Sequence, residues 1–164
     1  MITCIPIQEA AFTDLAYVAE NMREMDKKEI LATRWTEDLI EVARDLVKLQ
    51  GLGYLFCYDS VPVAVIGSTP VHPGVASAYM FATDDFPKVA KSVTKLARRV
   101  IFPALMSSGC HRVHSLVLAE YTEVRKWLRF LGANTETPLK HYGRNREDFV
   151  FMAWDRDKDV LLQQ

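Results

Sequence analysis

Between Tyr54 and Thr83 the chain carries three strand-length runs of apolar, β-branched and aromatic residues, separated only by short turn segments. Tyr54–Tyr58 and Val61–Ile66 flank Asp59-Ser60, a connection of hairpin length. Thr69–Gly74, with two prolines and a glycine, reads as a second turn before Val75–Thr83. Connections this short force antiparallel neighbours, because a parallel pair needs a crossover of about a dozen residues or more. A sheet with an antiparallel middle is what the rest of the chain must be built around.

The remaining elements alternate in type. Ile2–Glu9 alternates apolar and polar residues as a half-buried strand does. Thr13 is the expected cap of a first helix, striped by Leu15, Val18, Ala19 and Met22. A second short helix is expected over Met25–Ala32. A third, capped by Thr36, has Leu39, Ile40, Ala43, Leu46, Val47 and Gln50 on one face and ends at Gly51 and Gly53. After Thr83 a helix from Lys88 puts Val89, Val93, Leu96, Ala97, Val100 and Ala104 on one arc. Lys88, Lys91, Lys95, Arg98 and Arg99 lie on the opposite arc. Pro103 is expected to kink or end it. Val113–Leu118 reads as a strand, and Thr122 caps a helix with Val124, Trp127, Leu128 and Leu131 in register, stopped by Gly132. Two last strands, Pro138–Tyr142 and Asp148–Trp154, flank the turn Gly143-Arg144-Asn145-Arg146. The antiparallel middle and two late crossovers predict an α/β (α+β) domain: a mixed, mostly antiparallel sheet of about seven strands with helices on both faces.

Composition narrows the function classes. The 164 residues suit one domain, expected over 1–156 with a frayed tail at 157–164. A net charge of −1 favours neither nucleic acid nor a membrane surface. The basic stripe Lys88–Arg99 lacks the interleaved aromatics of a nucleic-acid groove. No basic region precedes an apolar one at Met1–Pro6, and no apolar run approaches the roughly 20 residues of a membrane span. Cys4, Cys57 and Cys110 have no paired spacing and read as reduced thiols of a cytoplasmic protein. His111 and His114 are three apart at a strand start and point to opposite faces, so no metal site is expected from them.

The element order is similar to that of the GNAT N-acetyltransferases from end to end. Ile5-Pro6-Ile7-Gln8-Glu9-Ala10 resembles their first strand, and Val117-Leu118-Ala119-Glu120 with a helix ending Leu131-Gly132 resembles their late strand and helix. More narrowly, Arg23-Glu24-Met25-Asp26, Trp127-Leu128-Arg129-Phe130-Leu131-Gly132-Ala133 and His141-Tyr142-Gly143-Arg144-Asn145 resemble small GNAT-like internal virion or morphogenesis proteins of short-tailed bacteriophages. The narrow resemblance implies host cytoplasm or the virion as location and a phage or host protein as partner.

The broad resemblance implies a site. Val75–Thr83 and Val113–Leu118 would be neighbouring strands that splay apart to admit the pantetheine arm of acetyl-CoA, with Phe81, Ala82 and Thr83 lending backbone. The pyrophosphate would sit on the helix start, at Lys88, Val89, Ala90 and Lys91. The loop departs from the family pattern: it has no glycine, carries Asp84 and Asp85, and loses an amide at Pro87. In many relatives a tyrosine on the last helix is the acid; Leu128 stands there, so Tyr121 is the candidate acid and Glu120 the candidate base. Asp26 and Glu29 are candidates for binding a cationic acceptor amine. Two functions follow: an N-acyltransferase acting on an amine, or a GNAT-like shell without turnover.

Overall fold

The computed structural model describes residues 1–155; the expected tail, 157–164, lies outside the described residues. The strands are β1 (Ile2–Pro6), β2 (Leu52–Tyr58), β3 (Val61–His72), β4 (Val75–Ala82), β5 (Arg112–Leu118), β6 (Asn134–Leu139) and β7 (Phe149–Asp155). They form one seven-stranded sheet in the order β1-β2-β3-β4-β5-β7-β6. All neighbours are antiparallel except β4 and β5. The helices are α1 (Phe12–Glu20), α2 (Glu24–Leu31), α3 (Leu39–Leu46), α4 (Ala90–Leu96), α5 (Phe102–Ser107) and α6 (Thr122–Phe130).

Side chains alternate across a strand, so a central sheet needs cover on both faces. Leu55, Val65 and Phe81 pack with Leu15 and Val18 of α1 and Val42 and Leu46 of α3. On the other face Val63, Ile66 and Val113 pack with Val93, Ile101 and Leu128 from the later helices. Trp154 anchors that second core: its ring lies 4.9 Å from that of Phe102, and its indole N–H donates to Leu131 O.

Several boundaries differ from the sequence expectation for local reasons. Helix α1 begins at Phe12 after Ala11, with Thr13 inside its first turn. Helix α3 is capped by Asp38, whose carboxylate accepts from Ile40 N, while Thr36 Oγ1 accepts from Asp38 N one step earlier. It ends at Leu46, leaving Val47 exposed rather than on the buried stripe. Strand β3 runs on through Pro70 to His72, with a register shift between Pro70 and His72, and the turn is confined to Pro73-Gly74. Gly74 turns the chain with a φ of 85°, which side chains rarely adopt, and a Cβ there would also meet the His111 ring at 2.3 Å. Pro103 does not end its helix. A π-helical turn, Ala97–Ile101, precedes it, with Phe102 N donating back to Ala97 O, and this wider turn takes up the mismatch that Pro103 imposes. The penultimate strand is Asn134–Leu139 rather than Pro138–Tyr142.

β4 and β5 pair only at Val75–Ser77 against Arg112–His114, although β4 continues to Ala82 and β5 to Leu118. Beyond that point the strands separate.

Candidate functional site

Backbone alternation says which groups face the opening. Thr83 N donates to Val63 O, so Phe81 and Thr83 direct their amides to β3, and Met80 and Ala82 direct theirs toward β5. On the other side Ala119 N donates to Asp148 O, so Leu116 and Leu118 turn their amides into the opening. Where the strands part, Ser115 Oγ donates to Ala78 O at 2.9 Å, replacing the next ladder bond.

Helix α2 closes the far end of the opening with two carboxylates. Asp26 Oδ2 accepts from Ala82 N at 2.9 Å, and Glu29 Oε2 accepts from Leu118 N at 2.7 Å. Arg23 forks onto Asp26 through Nε (2.9 Å) and Nη2 (3.0 Å), and Arg23 N donates to Ala82 O. The Tyr121 hydroxyl donates to Asp26 Oδ1 at 2.7 Å. The Arg23 guanidinium lies over the Phe86 ring at 4.7 Å and the Tyr121 ring at 6.0 Å. This knot fastens α2 to the turns that follow β4 and β5. Asp26 is 3% exposed, and its charge is answered in place.

Glu29 is different. Burial pushes its carboxyl up from the ordinary 4.5 to about 8; the Leu118 N–H bond and Arg23 work against the rise, and Asp26 adds to it. Burial, then the Asp26 charge and hydrogen bond, raise Tyr121 above the ordinary tyrosine range, so the proton stays on its hydroxyl oxygen.

A cavity of about 350 Å³ occupies the opening and passes through the sheet. On one face it is bounded by Ile30, Arg34, Val42 and Leu46 of the α2–α3 region. On the other it is bounded by Ile101, Trp127, Leu128 and Trp154. Asp26, Glu29, Met80 and Leu116 line its waist. A second depression of about 560 Å³ lies between α4 and α6, with Lys91, Lys95, Arg98 and Arg99 beside Phe130. The two share Phe102, Trp127 and Leu131. Trp127 stands between them, its indole N–H donating to Thr94 Oγ1 across the helices at 3.0 Å.

The residues expected from the sequence therefore separate into groups. Asp26 and Glu29 reach the cavity, with Phe81 at its wall. Ala82 N is taken by Asp26 and Thr83 N by Val63, and the β4 amide that lines the opening is that of Met80, which the sequence reading passed over. Tyr121 lies behind Asp26, and Glu120 is exposed and ion-paired with Lys28. Lys88 pairs with Asp85 at 2.8 Å and lies 5.4 Å from the Tyr58 ring centroid; Val89 is fully buried. Ala90 and Lys91 line the basic depression. Arg23, Arg34 and Trp127 were not among the expected site residues: Arg23 pairs with Asp26 only three residues on, whereas the partners of Arg34 and Trp127, Asp45 and Thr94, lie 11 and 33 residues away.

The fit to an acyl-CoA is uneven. The cavity and the Met80 amide suit an acyl-pantetheine end. The β4–α4 turn does not suit a pyrophosphate, since Phe86, Lys88 and Val89 donate their amides within that turn. Cations for phosphate lie instead on the α4 side of the basic depression. Among the described residues no helix is long and apolar enough to cross a membrane.

No protein-family profile and no curated protein matches the sequence. Solved structures do match the shape. A ribosomal-protein-alanine N-acetyltransferase from Escherichia coli superposes with a TM-score of 0.67 at 17% identity, covering 94% of each chain. The fold is that of the GNAT N-acetyltransferases. A ribosomal-protein-alanine N-acetyltransferase from Brucella melitensis gives 0.69 at 16% identity, over 94% of this chain and 99% of that one. A spermidine N-acetyltransferase from Vibrio cholerae gives 0.68 at 11% identity, over 99% and 98%. At these identities the likeness is one of fold.

Proposed function

We propose that the protein is an acetyl-CoA-dependent N-acyltransferase acting on an amine, with Glu29 as the proton acceptor. The observation that carries this reading is the cavity through the parted strands, with a titratable carboxyl at its waist that no cation among the described residues neutralises by direct contact. Acetyl-CoA would supply the activated acyl group as a thioester. Met80 N–H faces the opening and is placed to donate to a carbonyl oxygen there. Glu29, ionised above about pH 8, takes a proton from the acceptor's ammonium and leaves a nucleophilic amine. The same proton is then available to the departing thiolate. Asp26, held by Arg23 and Tyr121, positions α2 so that Glu29 reaches the opening. Lys91, Lys95, Arg98 and Arg99 are the candidates for phosphate contacts, as side-chain charges in place of loop amides.

A second reading has its own support. The self-bonded β4–α4 turn and the occupied Ala82 amide favour a GNAT-fold shell without turnover; for such a shell the sequence resemblance implies a role in phage virion morphogenesis or in holding a host protein. Host cytoplasm or the virion would be its location. Acetyl-CoA at about 1 mM decides between them: a site with a dissociation constant near 10 μM stabilises the native state by about 2.7 kcal/mol, and the melting temperature rises by roughly 5–10 °C. An unchanged melting temperature favours the shell.

A further inference from the structure

From the α2–α3 half of the cavity we infer the class of acceptor: a primary amine on an apolar body with a carbonyl beside the amine, such as the first residue of a polypeptide, and not a polyamine. This rests on the transferase reading above. The branch that leads from the waist to this face is lined by Ile30, Val42, Leu46 and Leu49, with Arg34 and Asp45 on its wall. Leu49 is 38% exposed, so the apolar lining continues out to the surface.

A polyamine entering such a branch must strip water from a second and third ammonium, and each then needs a carboxylate. The branch has none to spare. Asp45 is ion-paired with Arg34, and Asp26 is bound by Arg23, Tyr121 and Ala82 N. Glu29 serves the reacting amine at the waist. The Arg34–Asp45 pair is neutral as a whole and offers a further cation no net attraction. Asp26 and Glu29 thus form no cation-binding pair, although both reach the cavity.

Arg34 also offers something to a particular ligand. Its Nε–H is buried and has no hydrogen-bond partner among the described residues, although the guanidinium holds Asp45 through Nη2. A buried donor left unpaired calls for an acceptor. The residue is fixed in place, because Arg144 donates through Nη2 to Arg34 O at 2.7 Å, through Nη1 to Glu37 at 2.8 Å, and through its backbone N to Ala32 O at 2.7 Å. A carbonyl oxygen next to the amine would satisfy Arg34 Nε, and the apolar side chain would lie along Ile30, Val42 and Leu46.

The test uses the full-length protein, acetyl-CoA and three probes: leucinamide, isoamylamine and spermidine. Rates are expressed per free-base amine, because an α-amine titrates near 8 and an alkylamine near 10.4. Leucinamide is expected to exceed isoamylamine in kcat/KM by about tenfold, the worth of a hydrogen bond to a charged donor. Isoamylamine is expected to exceed spermidine by about tenfold or more. In Arg34→Lys, which keeps a cation for Asp45 but lacks Nε–H, the leucinamide-to-isoamylamine ratio falls to about one. Spermidine reacting faster than isoamylamine, or a leucinamide preference that survives Arg34→Lys, overturns the inference while leaving the transferase reading standing. No thermal shift with acetyl-CoA and no transfer to any probe brings down both.

Discussion

Replacing Glu29 by Gln tests the waist of the cavity without touching the fold around it. The amide keeps an oxygen to accept from Leu118 N, so the geometry is retained and only the titration is lost. In the wild type the folded state holds its proton up to about pH 8, whereas the unfolded chain releases it near 4.5. The folded state therefore binds more protons across that window, and stability falls as pH rises through it. The full rise, at about 1.4 kcal/mol per pH unit, corresponds to roughly 5 kcal/mol; water entering the cavity mouth screens the charge, so about 2–5 kcal/mol is expected. Urea unfolding of both proteins from about pH 4 to pH 9 measures it. The two should be equally stable near pH 4 and diverge steadily, with Glu29→Gln the more stable above about pH 8. Parallel curves across the whole range would refute the argument that burial holds this carboxyl neutral.

Other outcomes follow from the same geometry. Glu29→Gln should lower kcat by about 10²–10⁴-fold, and wild-type kcat/KM should rise with pH to a plateau above about 8 in a thiol-release assay. Asp26→Asn leaves Arg23 facing a neutral group in a buried site and should cost about 3–5 kcal/mol by denaturant unfolding. Tyr121→Phe should cost about 1–3 kcal/mol but change kcat only a few-fold, since the hydroxyl serves Asp26; a loss beyond about 100-fold would make Tyr121 the acid instead. Trp127→Phe removes the bond to Thr94 and should cost about 1 kcal/mol while speeding acetyl-CoA association in stopped-flow fluorescence.

The architecture was legible because it depends on local patterns. Asp59-Ser60 and the apolar runs around it forced the antiparallel middle, and the stripes at Leu15–Met22 and Val124–Leu131 marked faces that the structure buries against the sheet. Boundaries shifted for local reasons: a π turn before Pro103 lets its helix continue, and β3 runs on through Pro70 opposite Ala76. The site was half legible. Asp26 and Glu29 could be named from charge on a short helix, but not their division of labour. That division depends on Arg23 and Tyr121 reaching one carboxylate and not the other. Met80 was unreadable for a simpler reason: its contribution is a backbone amide, and only the register against Ile66 shows which way that amide points.

The most direct probe of the parted strands is an amide-resolved NMR titration with acetyl-CoA. An acyl-pantetheine end seated in the opening should shift the resonances of Met80 and Leu116, whose amides face it, while those of Phe81 and Thr83, bonded to β3, move little. Shifts confined to Lys91–Arg99, or none at all, would contradict the account.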